Sequence, residues 1–403
     1  MIISFTEANE ILNKYFKPNI RTTEIELENS LGYVLAEDIH SAINLPAFDN
    51  SSMDGFAVKY VEGKNSWKIL GEITSGNFNE IKVNEDTAVS IMTGAKMPEG
   101  ADTIIPIENL DIKEDTITLN EGCTYYFEEN LRKEGEDVEQ GEKIFSIGSI
   151  IKINHIPLLA AVGKAKVKVY KPLNIAIMIT GDELIDIDKS PKNDEIRATN
   201  LYAIIALVKS KNMNPINLGI VKDDYDTLKE AIAKALEQDI DILLTTGGVS
   251  LGKRDYMKEV LEEHGVERRF WRIFIKPGKP TYFGTYVKNG KNIAVFGLPG
   301  NPLSSFVNFN VTVMPHINQL LGVNPDNAFK AELTTAYKKN DAKLHFVIAN
   351  AEFDSNKNKY IVKVAGMQSS GGMKTLSKAN CIIKFYEEKR FLALGEIVEC
   401  IWI

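Results

Sequence analysis

The tightest constraint on the fold is a short run that is almost purely apolar and then stops on glycines: D-I-D-I-L-L-T-T-G-G-V-S-L-G-K-R-D-Y, residues 239–256. Ile240, Ile242, Leu243 and Leu244 are too few for a helix and are bounded by turn formers. Such a run reads as a strand buried on both faces, the situation of a parallel sheet. Thr245-Thr246-Gly247-Gly248 follows at its carboxyl end. Two adjacent glycines let backbone N–H groups converge on an anion with no Cβ in the way. Asp255 then opens residues 255–265, where Met257, Val260 and Leu261 recur at helical spacing. The order strand, glycine turn, acidic residue, helix is where open α/β sheets bind phosphates and metal ions. A lone Gly-Gly turn is more often just a tight turn, so its weight comes from what accompanies it.

The chain has 403 residues, which is enough for two to four domains. Its 44% apolar and 25% charged content is that of a globular protein. Forty-seven basic against 55 acidic side chains give −8, which argues against bulk nucleic-acid binding but leaves room for a small basic pocket. Cys123, Cys381 and Cys400 are far apart and lack metal-ligand spacing, so neither a disulfide framework nor a zinc site is expected, and a reducing cytoplasm suits them. The opening M-I-I-S-F-T-E-A-N-E has no basic n-region or long apolar core, so no signal peptide is expected. No run approaches the roughly 20 apolar residues of a membrane span.

Residues 6–15 read as a helix with Thr6 as cap and Ala8, Ile11 and Leu12 on one face. Residues 22–27 read as a strand, and 67–117 as a series of short β segments. The first ~170 residues are therefore mixed and mostly β, with Lys171-Pro172 as a boundary. From 173 to 322 strands and helices alternate, which argues a parallel sheet. Strands are expected at 174–179, 216–221, 240–245 and 293–296, and helices at 200–211, 225–237 and 303–321. After residue 323 short β runs separated by polar turns point to a small antiparallel barrel or sandwich.

Acidic residues gather where the expected strands end. The first is followed by Thr180-Gly181-Asp182-Glu183, the second by Lys222-Asp223-Asp224, and the third by Gly247-Gly248 and then Asp255. In a parallel sheet these ends share one edge, so the carboxylates can meet in one crevice. Oxygen ligands beside a phosphate-binding turn suit Mg²⁺. Asp182 and Asp224 serve equally well as helix caps; for Glu183 and Asp255 a functional role is the better reading. The segment I-F-I-K-P-G-K-P-T-Y-F-G, residues 273–284, is a rigid turn presenting Lys276 and Lys279 to oxyanions. G-L-P-G-N-P, residues 297–302, supplies a further glycine turn at the start of a helix. The residues themselves thus describe a Mg²⁺-dependent handler of a phosphorylated small molecule.

These motifs stand in the order and spacing of one family. F-D-N-S-S-M-D-G-F-A-V (48–58), T-G-A (93–95), R-K-E-G-E-D (132–137), T-G-D-E-L (180–184), T-T-G-G-V-S-L-G-K-R-D-Y (245–256), K-P-G-K-P (276–280) and G-L-P-G-N-P (297–302) together make the chain closely resemble the molybdopterin molybdenumtransferases, relatives of the E domain of gephyrin. The resemblance runs through essentially the whole chain. It implies a multidomain α/β plus β fold in four parts: a linking domain from 1–45 and 141–172, an inserted β-rich domain at 46–140, a three-layer α/β molybdopterin-binding domain at 173–323, and a C-terminal β-barrel at 324–403. It also implies a homodimer whose cleft lies between the α/β domain of one subunit and the β-rich domain of the other. A transient contact with the adenylyltransferase of the preceding step belongs to the same expectation.

The implied reaction takes adenylylated molybdopterin and molybdate, cleaves the phosphoanhydride with Mg²⁺, releases AMP and places molybdenum in the pterin dithiolene. By resemblance, Asp54, Thr93, Asp137, Glu183, Asp255, Lys276 and Lys279 are the catalytic residues. Thr180, Gly181, Gly247, Gly248, Ser250, Pro299, Gly300 and Asn301 hold the substrate, and Glu183, Asp223 and Asp255 carry the metal. The chain departs from the family at A-K-L-H-F-V-I, residues 342–348, where Lys343 keeps one charge of the usual pattern and Ile348 loses the other, and in the serine-rich turn at 369–376. Two other functions stand beside this one: adenylylation of molybdopterin by ATP, and a gephyrin-like scaffold, to which the absence of a long linker or fused module gives little support.

Overall fold

The computed structural model describes residues 2–74, 76, 81–248, 256–288, 290–324, 327–366, 368 and 372–403. Among them no helix is long and apolar enough to cross a membrane. The chain starts with α1 (Phe5–Tyr15). Its cap is Ser4 rather than the expected Thr6: Ser4 Oγ accepts from the Glu7 N–H at 3.1 Å, and the Glu7 carboxylate accepts from the Ser4 N–H at 2.7 Å. That reciprocal pairing satisfies two helix-end donors at once, which Thr6 lacks the spacing to do. A strand at Thr22–Glu26 then pairs antiparallel with Lys166–Tyr170, so the two ends of the first third of the chain are laced together. Leu35, Ile39, Leu159 and Val169 form the core beneath them.

Between these ends lies a β-rich unit. Its strands are β1 (Gly55–Val58), β2 (Ser66–Ile73), β3 (Thr87–Ile91), β4 (Thr103–Pro106), β5 (Leu110–Lys113) and β6 (Thr116–Leu119), in the order β4-β1-β3-β2-β6-β5. Alternation along β1 sends Phe56 and Val58 to one face and Ala57 to the other, and each face has its own apolar cluster. A short helix, α2 (Ile156–Ala161), precedes the return strand.

The α/β unit has strands β7 (Asn174–Thr180), β8 (Asn214–Val221), β9 (Ile242–Thr246), β10 (Glu267–Trp271), a two-residue β11 (Ile275–Lys276), β12 (Tyr282–Lys288) and β13 (Lys291–Leu298). Its six-stranded sheet runs β8-β7-β9-β13-β12-β10. The first four strands are parallel, as the alternating pattern requires; β12 and β10 add an antiparallel edge that the sequence reading missed. Helices α3 (Thr199–Ser210), α4 (Tyr225–Glu237) and α5 (Met257–Glu263) cover it. Ile175, Ile177 and Ile179 pack with Leu201, Ile204 and Val208 of α3, while Ala176 and Met178 pack with Leu228 and Ile232 of α4 and Leu261 of α5. Burying each such side chain is worth roughly 1.5–3 kcal/mol, so the strand's period of two fixes which helix lies on which face.

After β13 come α6 (Pro302–Asn308), a π-helical turn at Phe309–Val313, and α7 (Met314–Leu320). One continuous α-helix was expected here. Pro315 at the start of α7 has no N–H to return to the preceding turn, and the ladder widens just before it. The last unit has β14 (Ala328–Leu333), β15 (Leu344–Asp354), β16 (Lys359–Val364), the one-turn α8 (Met373–Leu376), β17 (Cys381–Phe385) and β18 (Ile397–Trp402). Strands β15-β16-β14-β18-β17 pair in sequence and β17 pairs back to β15, closing a five-stranded barrel. Val347, Ala349 and Ile383 fill its interior. Leu344, Phe346 and Ile348 point outward into the same core as α1, α3 and β7, so the barrel and the α/β unit share packed interior.

Candidate active site

In the α/β sheet the chain leaves β7 for β8 on one side and then crosses to β9 on the other. The carboxyl ends of β7 and β9 are therefore a topological switch point, where the two crossovers part and leave a crevice. Thr180 ends β7, and Gly247-Gly248 follows the last residue of β9. Gly247 and Gly248 have φ of +93° and +63°, successive left-handed residues; the Gly247 N–H donates to the Leu298 carbonyl at 3.3 Å, tying the turn to the end of β13, and Gly248 lines the crevice. A side chain at Gly247 would lie 2.7 Å from Thr180 Oγ1, so the close approach of the two strand ends itself demands glycine. Gly300 follows the end of β13, and a Cβ on it would lie 3.5 Å from the Gly247 Cα, in ordinary contact.

A cleft of about 180 Å³ opens there, lined among others by Thr180, Glu183, Asn200, Asp223, Gly248 and Gly300. Thr180 is 4% exposed, and its Oγ1 has no hydrogen-bond partner among the described residues. Asn200 was not picked out from the sequence. It stands in the first turn of α3 and donates from Nδ2 to the Gly300 carbonyl at 2.7 Å, tying α3 to the glycine turn. Its signal was a polar residue on the otherwise apolar buried face of a helix, at the end nearest the motifs.

The strand-end acids divide. Glu183 and Asp223 both line the cleft. The Asp182 carboxylate instead accepts the Asp223 N–H at 3.1 Å. Asp224 caps α4, accepting from Thr227 N–H at 2.9 Å, and the Thr227 hydroxyl first and its N–H second hold the carboxyl below the usual range. Of the binding residues expected from the sequence, Gly181 follows β7 and Pro299 is buried in the turn before Gly300. Asn301 caps α6 through Oδ1, with Ser304 N–H at 3.4 Å. Ser250 and Asp255 lie outside the described residues.

The lysine turn is held from two sides. Gly278, at φ +94°, faces Asn308 so closely that a Cβ would lie 2.7 Å from the Asn308 Cγ. The Gly278 carbonyl accepts from Thr281 Oγ1 at 2.7 Å and from Asn308 Nδ2 at 3.3 Å. On its other side, β11 pairs in parallel with β15 of the barrel. Lys276 is exposed and Lys279 half-buried, and neither forms an ion pair among the described residues.

The remaining three residues belong to the β-rich unit and its flank. Asp54 Oδ1 accepts both the Thr93 N–H at 2.7 Å and the Thr93 hydroxyl at 2.8 Å. These two donors, the backbone one first, hold the exposed Asp54 carboxyl below its ordinary value. The three N-terminal motifs meet around one dipeptide. Ser51 pairs with Leu131 and Asn50 with Arg132, and the Ser51 carbonyl accepts the Gly94 N–H at 2.7 Å. Asp137, on the turn that follows, is exposed and is placed by its N–H to the Leu45 carbonyl at 2.9 Å.

Comparison with known proteins matches the chain along almost all of its length. Residues 3–163 match the MoeA N-terminal region (domain I and II), 176–319 the "Probable molybdopterin binding domain", and 330–403 the MoeA C-terminal region (domain IV). The molybdopterin molybdenumtransferase of Haemophilus influenzae is 35% identical over 390 residues, covering 94% of this chain and 93% of the relative. That of Staphylococcus aureus strain Mu50 is 32% identical over 387 residues, covering 94% and 90%. The crystal structure of the molybdopterin biosynthesis moeA protein from Pyrococcus horikoshii OT3 superposes with a TM-score of 0.84 at 26% identity, covering 100% of both chains. Identity of this extent, along three consecutive domain matches and one shared fold, makes the chain an enzyme of the molybdopterin molybdenumtransferase family.

Proposed function

We propose that the chain takes adenylylated molybdopterin and molybdate, releases AMP and inserts molybdenum into the pterin dithiolene. The observation that carries this reading is the switch-point cleft, where the Gly247-Gly248 turn, the Thr180 hydroxyl, unpartnered among the described residues, and two carboxylates line one crevice. Both substrates are oxyanions. The Gly248 amide and Thr180 Oγ1 hold the phosphoanhydride, and the Lys276 and Lys279 ammonium groups hold the molybdate dianion. Glu183 and Asp223 suit Mg²⁺, which prefers one or two carboxylates with waters and phosphate oxygens to an all-protein cage. Bound there, Mg²⁺ supplies charge neutralisation at the phosphoryl oxygens. Asp255 is the third acid we assign to it.

Asp54, kept ionised by Thr93, serves as an anionic acceptor that orients the attacking water, and Asp137 is assigned to the same half-site. We assign both to the partner subunit of a homodimer, so that each cleft is completed across the interface. An exposed apolar rim around Asp54, of Met53, Met92 and Ile107, supports this, because such residues next to a polar pair favour a covered surface. The units are a linking domain of 1–45 and 141–172, an inserted domain of 46–140, an α/β domain of 173–323 and a barrel of 324–403. The free cysteines suit a cytoplasmic enzyme.

Incubation of the purified chain with adenylylated molybdopterin, molybdate and Mg²⁺ tests the reading. AMP release with formation of molybdenum cofactor is expected, and Lys279→Ala should lower it by at least about a hundredfold, the scale of removing one transition-state contact. Accumulation of adenylylated molybdopterin from molybdopterin and Mg-ATP, without molybdenum insertion, would assign the chain to the preceding step instead.

A further inference from the structure

The two-residue strand β11 lies outside the α/β sheet and pairs with the barrel, placing Lys276 opposite His345 of β15. Residues paired across neighbouring strands point to the same face. His345 is two residues from Val347 and four from Ala349, both in the barrel interior, so Lys276 and His345 stand together at the barrel's end. The imidazole is 4% exposed and packs edge-on to Phe385 at 6.2 Å between centroids. Its Nε2–H donates to Asp341 Oδ1 at 2.8 Å. The same carboxylate accepts the Lys343 N–H at 3.1 Å and lies 3.8 Å from the Lys343 ammonium.

The charges around this ring come from several elements. Lys276 belongs to β11; Lys339, Asp341 and Lys343 precede β15. Lys339 is 3% exposed, and its ammonium is bonded to the carbonyls of Lys343, Phe385 and Tyr386 and sits 4.3 Å over the Phe385 ring. From β17 and the turn after it come Phe385, the Tyr386 phenol, and, beyond Lys339, Arg390, Glu387 and Glu388. Beside the ring there are thus three ammonium groups and one carboxylate. Burial, opposed by Asp341 and reinforced by Lys339 and Lys276, pushes the imidazole below its ordinary value and favours the neutral form.

We propose that His345 is a positioning residue for the oxyanion held at Lys276, and that binding a dianion there is coupled to protonation of its ring, which Asp341 holds in place beneath the lysine. The proposal rests on the reading that Lys276 grips molybdate. A dianion at Lys276 cancels the positive potential that opposes an imidazolium. The bound state then carries more protons than the free state, so affinity rises as pH falls. The window lies around and below the ordinary imidazole value, where molybdate is still a dianion.

Equilibrium dialysis of the full chain with molybdate alone measures this without turnover. Affinity of the wild type is expected to tighten by about threefold to tenfold between about pH 7.5 and about pH 6, the range one partly coupled proton gives. His345→Gln and, as a second replacement that fills the space against Phe385, His345→Phe should each flatten that slope. A flat wild-type profile, or a slope kept in both variants, overturns the proposal while leaving the functional reading standing. No molybdate binding by wild type at any pH removes both.

Discussion

Asp54 shows how little of a residue's chemistry its position in the sequence reveals. It looked like a turn former in D-N-S-S-M-D-G, and only its meeting with Thr93, 39 positions away, makes it a carboxylate with two donors on one oxygen. Hydrogen bonds to the charged form depress a carboxyl pKa, so its contribution to stability is complete above the unfolded value of 3.8 and is lost as pH falls through the lower folded value. Thr93→Val removes the hydroxyl donor and keeps the backbone one, which is the larger cause. The Asp54 carboxyl, followed by carbon-13 NMR titration, is expected to rise towards its ordinary value yet remain below it. A rise to the ordinary value or above would mean that the backbone bond is not the stronger hold. The strand-end acids tell the same story from the other side. Glu183 and Asp223 could be named from their place after expected strands, whereas Asp224 is a helix cap, and spacing alone could not separate these roles. Asn200 was missed because its value lies in a partner, the Gly300 carbonyl, 100 residues away.

At the scale of elements, local pattern was a good guide wherever an element buries one or two whole faces. Helix α4 runs over the expected residues because Leu228, Ile232, Ala235 and Leu236 make an unbroken stripe and Asp224 closes its end. The antiparallel strands β10 and β12 were passed over because the prolines and glycines between them read as a turn and dominated the segment. That turn is itself an element with a packing logic. Gly278 combines a left-handed φ of +94° with the Asn308 side chain, 0% exposed, filling the room a Cβ would need. Gly278→Ala therefore carries two costs, roughly 1–2 kcal/mol for the backbone and roughly 1–3 kcal/mol for overpacking. A loss of about 2–5 kcal/mol in urea unfolding is expected. Gly63→Ala, at φ +76° with nothing within 4 Å, should show only the first cost. Asn308→Ala in the Gly278→Ala background should return part of the overpacking term. Equal losses at Gly278 and Gly63 would show that Asn308 does not fill that space.

For the whole molecule, the sequence revealed the succession of units through changes in texture, but not which of them share an interior. A single apolar cluster runs through α1, the α3 face of the sheet and the outer side of the barrel, so Lys276 and Lys279 are held on one packed body with the switch-point cleft. At the far end of that body Arg21, just before the first strand, donates to Asp239 at 2.9 Å and to the buried Asp241 at 3.3 Å, bracing the linking strand against the amino end of β9. The β-rich unit instead keeps separate clusters on both faces of its own sheet, so Asp54 and Thr93 are carried by a body with its own core. Motifs divided between such bodies need not serve a cleft within one chain, and the two-fold dimer proposed above would supply the missing half reciprocally. The arithmetic of mixed dimers then makes a sharp expectation. Asp54→Ala spoils the half-site a subunit lends, and Lys279→Ala spoils the half-site it keeps. Each homodimer has no intact cleft, but a dimer of one with the other has one intact cleft and one doubly damaged. Random pairing at equal amounts makes half the dimers mixed, so molybdenum insertion should recover to about one quarter of the wild-type rate per subunit. Assay of the co-expressed mixture measures that quarter, and the doubly purified dimer carrying two different affinity tags, which is all mixed, should reach about one half of the wild-type rate per subunit. If the mixed dimer stays as inactive as its parents, Asp54 and Lys279 act within the same chain, and the cleft is not shared.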